Sequence, residues 1–375
     1  MALMQKIIFC GVTTASGQMW RTQRNLVLRF MRNFSIGKAG FEGSISQEVL
    51  ALIRELKKFR EKPVKTAHLF HSAISNIICL VVYGTRYDYD DPKFKERLKL
   101  INRTFELLGS GSIFFMPFTD LVAGIIPSLW ELTPKLYKIH QLCQGSPPLA
   151  SGRLRSPERP NRFPLPVREI DAIVGRDHLP QMSDKPHLHF TEATILEVQR
   201  ISNVVPLGVP HQAREDATVM GYTIPRGTIL LPNFWALGHD PKVWPEPHLF
   251  KPEGFLDKDG QVTKKDEFTQ FSVGRRMCLG EPFAKMELFL FFSGLLHQFT
   301  FQRPQGAPPI SFKSRAGFTL TPISFEVCAI VRAQRGDSAF NRLFTDSEVH
   351  LLDQLIPGLK LIFKRLTYSV VVKTS

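Results

Sequence analysis

The chain has 375 residues, 43% of them hydrophobic and 11% aromatic, which is enough for a large buried core and excludes an intrinsically disordered chain. A net charge of +14 asks for an acidic partner, but the Lys and Arg residues are dispersed, without a block of five and without a zinc-finger or RNA-binding signature. Nucleic acid is therefore not the expected partner, and an acidic protein or a membrane surface is.

The five cysteines, Cys10, Cys79, Cys143, Cys278 and Cys328, form no CxxC pair. Neither a disulfide framework nor a structural zinc site is expected, and a reducing compartment fits. No apolar run reaches the roughly 18 residues that a membrane-spanning helix needs. The start, Met1 to Cys10, is too short for a signal peptide and lacks its flanks. Thirty Phe against six Tyr and four Trp point to a large greasy core or an apolar cavity.

In chain order, 44–60 reads as an amphipathic helix, with Val49, Ile53 and Leu56 on one face and Ser44 as its N-cap. Further helices are predicted over 66–84 and 92–108. The segment 144–167 breaks the pattern with Pro147, Pro148, Pro157, Pro160, Pro164 and Pro166 among several Arg, and is expected to be a loop or disordered. Helical signal returns at Phe190–Arg200. Short strands follow over 217–231, turning at Gly221 and at Pro225-Arg226-Gly227. An irregular Pro-rich stretch is predicted from Pro232 to Gly260. A helix then starts after Cys278 and runs through Leu288 and Phe292. The tail, 333–375, is amphipathic around His350–Leu366 and unrelated to what precedes it. There is no internal repeat.

Chemistry concentrates at Phe271-Ser-Val-Gly274-Arg-Arg276-Met-Cys278-Leu-Gly280. A metal-bound thiolate must be deprotonated, shielded, and surrounded by donors that temper its charge. Gly274 and Gly280 let the backbone bend tightly and bring N–H groups towards the sulfur. A helix starting just beyond Cys278, with Pro282 in its first turn, turns a positive dipole end to the thiolate. Phe271 can cover the sulfur, and Arg276 can reach an anionic group of a cofactor. A lone cysteine is more often a buried structural residue. Five matching positions in ten residues argue otherwise.

This is the FxxGxRxCxG pattern, and on it the chain resembles the cytochromes P-450, most closely the microsomal family-2 type. Glu197-Val-Gln-Arg200 resembles the ExxR motif. Glu and Arg three apart share a helical face and can pair, though such a pair alone is usually just a solvated face. Its setting, Phe190-Thr-Glu-Ala before and Ile201-Ser-Asn-Val-Val-Pro206-Leu-Gly-Val-Pro-His211 after, is also similar to the family, as is Asp240-Pro-Lys-Val-Trp244-Pro-Glu-Pro. Trp20-Arg-Thr-Gln-Arg24 resembles WxxxR, whose two ends lie one helical turn apart; a bare WxxxR elsewhere is an ordinary surface helix.

The resemblance implies a mainly α fold with a small β component and heme b as cofactor. Cys278 would be the iron ligand, and the cofactor-binding set would be Trp20, Arg24, His211, Phe271, Gly274, Arg276, Cys278 and Gly280. Trp20, Arg24, His211 and Arg276 would hold the propionates, with Glu197 and Arg200 as a structural pair. Val204 to Leu207 and Gly317–Leu320 would border the substrate cavity. The activity implied is insertion of one oxygen atom of O₂ into a lipophilic substrate: a fatty acid, a steroid or a foreign compound. The implied partners are an NADPH-cytochrome P-450 reductase and a cytochrome b-type donor. The implied location is the cytoplasmic face of the endoplasmic reticulum membrane.

The chain departs from the family pattern in three places. On the resemblance, the chain is expected to lack the N-terminal anchor that precedes the WxxxR helix in the family, with peripheral membrane contact in its stead. The distal helix with its [AG]Gx[DE]T motif is absent, and 144–167 stands in its place; no catalytic acid or Thr is therefore identified. The PERF motif reads Pro252-Glu253-Gly254-Phe255, so Gly254 cannot complete a charge network with Glu197 and Arg200. The expected layout is a P-450-like unit over 1–332, interrupted at 144–167, followed by the tail. Two other readings stay open. One is an inactive or unstable P-450-derived splice product or gene-model fragment that at most binds heme. The other is a heme-thiolate isomerase or peroxygenase that needs no reductase.

Overall fold

The computed structural model describes residues 12–13, 15–33, 39–99, 164–308, 314–315 and 320–332. Among them, helices dominate and the strands are short. The helices are α1 (Gly17–Asn33), α2 (Ala39–Lys58), α3 (Ala67–Tyr83), α4 (Pro164–Ile173), α5 (His189–Ser202), α6 (Phe234–His239) and α7 (Glu281–Gln298), with a further helical stretch over 92–99. The strands pair antiparallel in twos: β1 (His211–Gln212) with β4 (Ile229–Leu230), β2 (Ala217–Val219) with β3 (Tyr222–Ile224), β5 (Phe299–Gln302) with β8 (Cys328–Val331), and β6 (Ser314–Arg315) with β7 (Thr321–Pro322).

α7 is the centre of the fold. It is apolar on nearly every face, as a helix packed on all sides must be. Phe283, Leu288, Phe289, Phe291, Phe292 and Leu295 are all buried along it. α2, α4 and α5 pack around it. The crossing with α2 is close: a Cβ on Gly294 would come within 2.8 Å of the Val49 side chain, so the absence of a side chain at 294 sets the spacing. Ile45, Val49, Leu52 and Leu56 face this core from α2, as the amphipathic pattern predicted.

Part of the Phe-rich composition lies here, in one apolar cluster that also takes in Phe41, Phe70, Phe271, Phe299 and Phe301. A smaller cluster of Ala193, Leu196, Trp244 and Phe255 sits on the other side of α5.

Several sequence expectations need correction. α2 starts at Ala39, so Ser44 lies inside the helix and does not cap it. Residues 164–167, expected in a loop, form the first turn of α4. Pro164 and Pro166 are tolerated there because the first N–H groups of a helix have no partner within it. The Pro-rich stretch 232–260 is not irregular throughout. It holds α6, capped by the Asn233 side chain accepting from Ala236 N at 3.0 Å, and a 3₁₀ turn at Pro252–Phe255. The helix predicted over 92–108 is seen over 92–99, and its remainder lies outside the described residues, as do 144–163 and the tail.

α4 and α5 are joined by a carboxylate. Glu169 accepts hydrogen bonds from Phe190 N at 2.8 Å, Thr191 N at 2.7 Å and the Thr191 hydroxyl at 2.6 Å, satisfying the open N-terminus of α5. The β2–β3 hairpin turns on Met220 (φ 49°) and Gly221 (φ 84°), the paired positive dihedrals that suit a two-residue connection. No helix among the described residues is long and apolar enough to cross a membrane.

Candidate functional site

The loop before α7 is built by its backbone. Cys278 N–H donates to the Phe271 carbonyl at 2.9 Å, closing the segment into a compact bend around a 3₁₀ turn at Gly274–Arg276. Gly274 has φ 72°, the left-handed region that favours glycine, and Met277 N–H returns to its carbonyl at 3.1 Å. Gly280 differs from expectation. With φ −83° and ψ 3° it adopts a backbone open to any residue, so the bend does not require glycine there. Its role is to cap α7, which follows at Glu281 with Pro282 in the first turn.

Cys278 therefore lies two residues before a helix N-terminus, where unpaired N–H groups and the helix dipole favour negative charge. The thiol is partly exposed, and its carbon stem packs against the main apolar cluster beside buried Phe271.

α1 brings Arg24 to this loop, where it meets the loop's own Arg276. The Arg24 guanidinium donates to the Met277 carbonyl at 2.9 Å, adjacent to Cys278. Arg276 donates to the Ala15 carbonyl at 2.7 Å. Both lie over Trp20, at 4.2 Å from the ring centroid for Arg276 and 5.6 Å for Arg24. Two like charges thus share one indole. Partial burial lowers Arg24 from its ordinary value, partly offset by the negative charge that Cys278 can carry. Burial, and then the charge of Arg24, lower Arg276. Among the described residues neither guanidinium is paired with a carboxylate. Both are held by neutral carbonyls and remain positively charged, which leaves room for an anion.

This is the donor set heme asks for: a thiol at a helix N-terminus for iron, and two fixed cations for propionates. The residues present fit that group. Five expected positions, Trp20, Arg24, Phe271, Arg276 and Cys278, come together. His211 sits on β1 opposite Leu230, and no described contact ties it to them. The two stretches expected to line a substrate cavity touch each other: Leu320 N–H donates to the Val204 carbonyl at 2.9 Å. Val204 is buried and Leu207 exposed, while 317–319 lie outside the described residues.

The expected structural pair is present in strong form. Arg200 grips both carboxylate oxygens of Glu197, at 2.6 and 2.7 Å, with both residues at most 2% exposed. The remaining guanidinium donors reach the carbonyls of Gly238 (2.7 Å), Pro247 (2.8 Å) and Leu249 (3.1 Å). Lys251 N–H donates to Glu197 at 2.8 Å. Backbone groups therefore occupy the places a third charged residue would take, and the network closes without a side chain at 254. A Cβ on Gly254 would meet only the Trp244 ring, at 3.8 Å. The face of Trp244 also carries Arg200 at 5.1 Å and Lys265 at 4.3 Å. Sequence reasoning did not single out Lys265, because a Lys beside a charged loop normally belongs to solvent.

Comparison with known proteins identifies the family. A family model described as Cytochrome P450 matches residues 5–145 and 167–329. Cytochrome P450 2U1 of Rattus norvegicus is 33% identical over 369 residues, covering 83% of this chain and 70% of that protein. Cytochrome P450 2J1 of Oryctolagus cuniculus is 32% identical over 379 residues, with 86% and 75% covered. Cytochrome P450 2D15 of Canis lupus familiaris is 32% identical over 372 residues, with 83% and 74% covered. Enzymes of this kind are monooxygenases that carry heme. On the matched span, and on relatives all bearing family-2 names, the chain belongs to the cytochrome P450 family and is family-2-like.

Proposed function

We propose that the chain inserts one oxygen atom of O₂ into a lipophilic organic substrate, with Cys278 as the thiolate that would hold its heme iron and electrons from an NADPH-dependent flavoprotein reductase. The observation that carries this reading is the meeting of Arg24, Arg276 and Trp20 at the Cys278 loop, two cations without a carboxylate beside a thiol at a helix N-terminus.

Heme when bound supplies the activation of O₂, which thiolate ligation favours. The chain supplies the rest. The N-terminus of α7 would favour a thiolate at Cys278, and buried Phe271 would cover the apolar side of the loop. Trp20 holds Arg24 and Arg276 where they would meet the heme propionates, and His211 would be a further propionate partner. Glu197 and Arg200 clamp the segment 238–251 and act structurally. Gly274 and Gly280 shape the loop.

The overall stoichiometry consumes substrate, O₂, two electrons and two protons, and yields hydroxylated product and water. A basic surface suits docking of an acidic reductase or a cytochrome b-type donor. Apolar, permissive borders such as Val204 to Leu207 suit fatty acids, steroids or foreign lipophilic compounds. Location at the cytoplasmic face of the endoplasmic reticulum belongs to the same reading. So does a layout of one heme-binding unit over 1–332, interrupted at 144–167, with 333–375 as a separate tail.

The test is reconstituted turnover. Purified protein with heme, reductase, NADPH and a fatty-acid or steroid panel should give hydroxylated product, lost when reductase or NADPH is omitted. Product formed with peroxide alone and none with reductase would replace this reading by a peroxygenase.

A further inference from the structure

We propose that His239 and His248 form a surface site for a borderline divalent metal ion, zinc or nickel, which fastens the segment between them over the buried Glu197–Arg200 pair.

His239 ends α6, and its ring stacks on Trp235, with centroids 4.4 Å apart and planes 12° apart. Its Nδ1 lies 2.9 Å from the Trp235 carbonyl oxygen. A carbonyl only accepts, so Nδ1 carries the ring proton and Nε2 the lone pair. Ligating histidines are characteristically oriented this way, one ring nitrogen donating to a backbone carbonyl and the other free for metal.

The His248 ring centroid is 5.8 Å from that of His239, tilted by 40°. Two imidazoles bound to one ion at about 2.0–2.1 Å have centroids roughly 5–6 Å apart, so the pair already has the spacing of a shared ion.

What holds that spacing is buried. Arg200 donates to the carbonyls of Gly238, Pro247 and Leu249, the residues immediately flanking the two histidines. One guanidinium, 2% exposed, thus fixes the backbone on both sides of the pair. Its own charge is met by both oxygens of Glu197 yet still reaches His239, whose pKa burial and then that charge lower from 6.5 to about 4, keeping the ring neutral with its lone pair available. His248 is exposed, which gives the ion a route from solvent.

Among the described residues no group of three or more His, Cys, Asp or Glu converges anywhere. The site therefore offers two nitrogens, with water completing the shell. Hard ions such as calcium and magnesium prefer oxygen cages, whereas imidazole suits zinc and nickel.

The test uses the full chain, stripped with chelator and titrated with nickel or zinc chloride by calorimetry, thermal melting and tryptophan fluorescence. Wild type is expected to bind one more equivalent than His248→Gln, and its melting temperature should rise with metal by more than that of the variant. Nickel should quench Trp235, which stacks on His239, in wild type but not in His248→Gln. His248 is on the surface, so its replacement leaves the fold intact, and His239→Gln should match it. Wild-type stoichiometry in His248→Gln, or loss in His239→Gln alone, overturns the proposal. Heme content is held equal in all samples, so failure of the heme assignment leaves this result readable.

Discussion

The guanidinium of Arg276 lies 4.2 Å from the centre of the Trp20 ring, with Arg24 approaching the same ring at 5.6 Å. One indole on α1 therefore packs against both Arg24 of its own helix and Arg276 of the Cys278 loop. Each such contact contributes about 0.5–2 kcal/mol, depending on how dry it is. Trp20→Ala should lower heme bound per polypeptide severalfold, and Trp20→Phe should restore part of it. α1 has no buried residue, so the melting temperature of the heme-free protein should fall by only the few degrees that losing these two contacts costs. Equal heme content in Trp20→Ala would remove Trp20 from the site.

Glu197 and Arg200 pair where water does not reach. Removing one partner strands the other charge, at a cost of about 3–5 kcal/mol. Glu197→Ala should therefore unfold at a much lower urea midpoint than wild type, or fail to accumulate as folded protein. Glu197→Ala combined with Arg200→Met should be less destabilised than the sum of the two single changes. Simple additivity in that cycle would show that the pair is not energetically coupled.

Gly274 stands at φ 72° with no atom within 4 Å of where a Cβ would be, so any penalty for a side chain there is conformational and not steric. Gly274→Ala should lose about 1–2 kcal/mol in equilibrium unfolding. Gly274→Asn should lose less, because Asn enters the left-handed region more readily. An unaltered midpoint for the Ala variant would show that the loop relaxes out of that dihedral.

His297 makes stability depend on acid. Its Nε2 donates to the Gly175 carbonyl at 2.9 Å, and its Nδ1 accepts from the Gln298 amide at 3.0 Å, so the folded ring is neutral. Burial, and then the charge of Arg176, lower its pKa from 6.5 to about 4. As pH falls, the unfolded chain takes up the proton first. The contribution is fully present above pH 6.5, is lost progressively between 6.5 and about 4, and levels off below. His297→Gln should flatten the stability profile across that window. Parallel wild-type and variant profiles from pH 7 to 4 would contradict this.

How far the sequence carries depends on where the information is written. The 3.6-residue period on Val49, Ile53 and Leu56 foretold the face of α2 against the core, and the three-residue spacing of Glu197 and Arg200 foretold their pairing. The loop–helix junction at Cys278 was legible because Pro282 and the glycines punctuate it. Three features were not legible. Arg24 and Arg276 are anchored by the carbonyls of Met277 and Ala15, which any residue could supply. The charge network closes on the carbonyls of Gly238, Pro247 and Leu249, so Gly254 looked more damaging in the motif than it is in three dimensions. α6 hid within a Pro-rich stretch because its six residues are too few to show a period.

The sulfur of Cys278 is the centre of the account, and the spectrum of the reduced, carbon-monoxide-bound protein reads its ligation directly. Wild type loaded with heme should show the red-shifted Soret band of a thiolate-ligated iron, and Cys278→Ala, if it retains heme at all, should lose that band. A band at the same position and strength in folded Cys278→Ala would mean that another cysteine, and not Cys278, holds the iron.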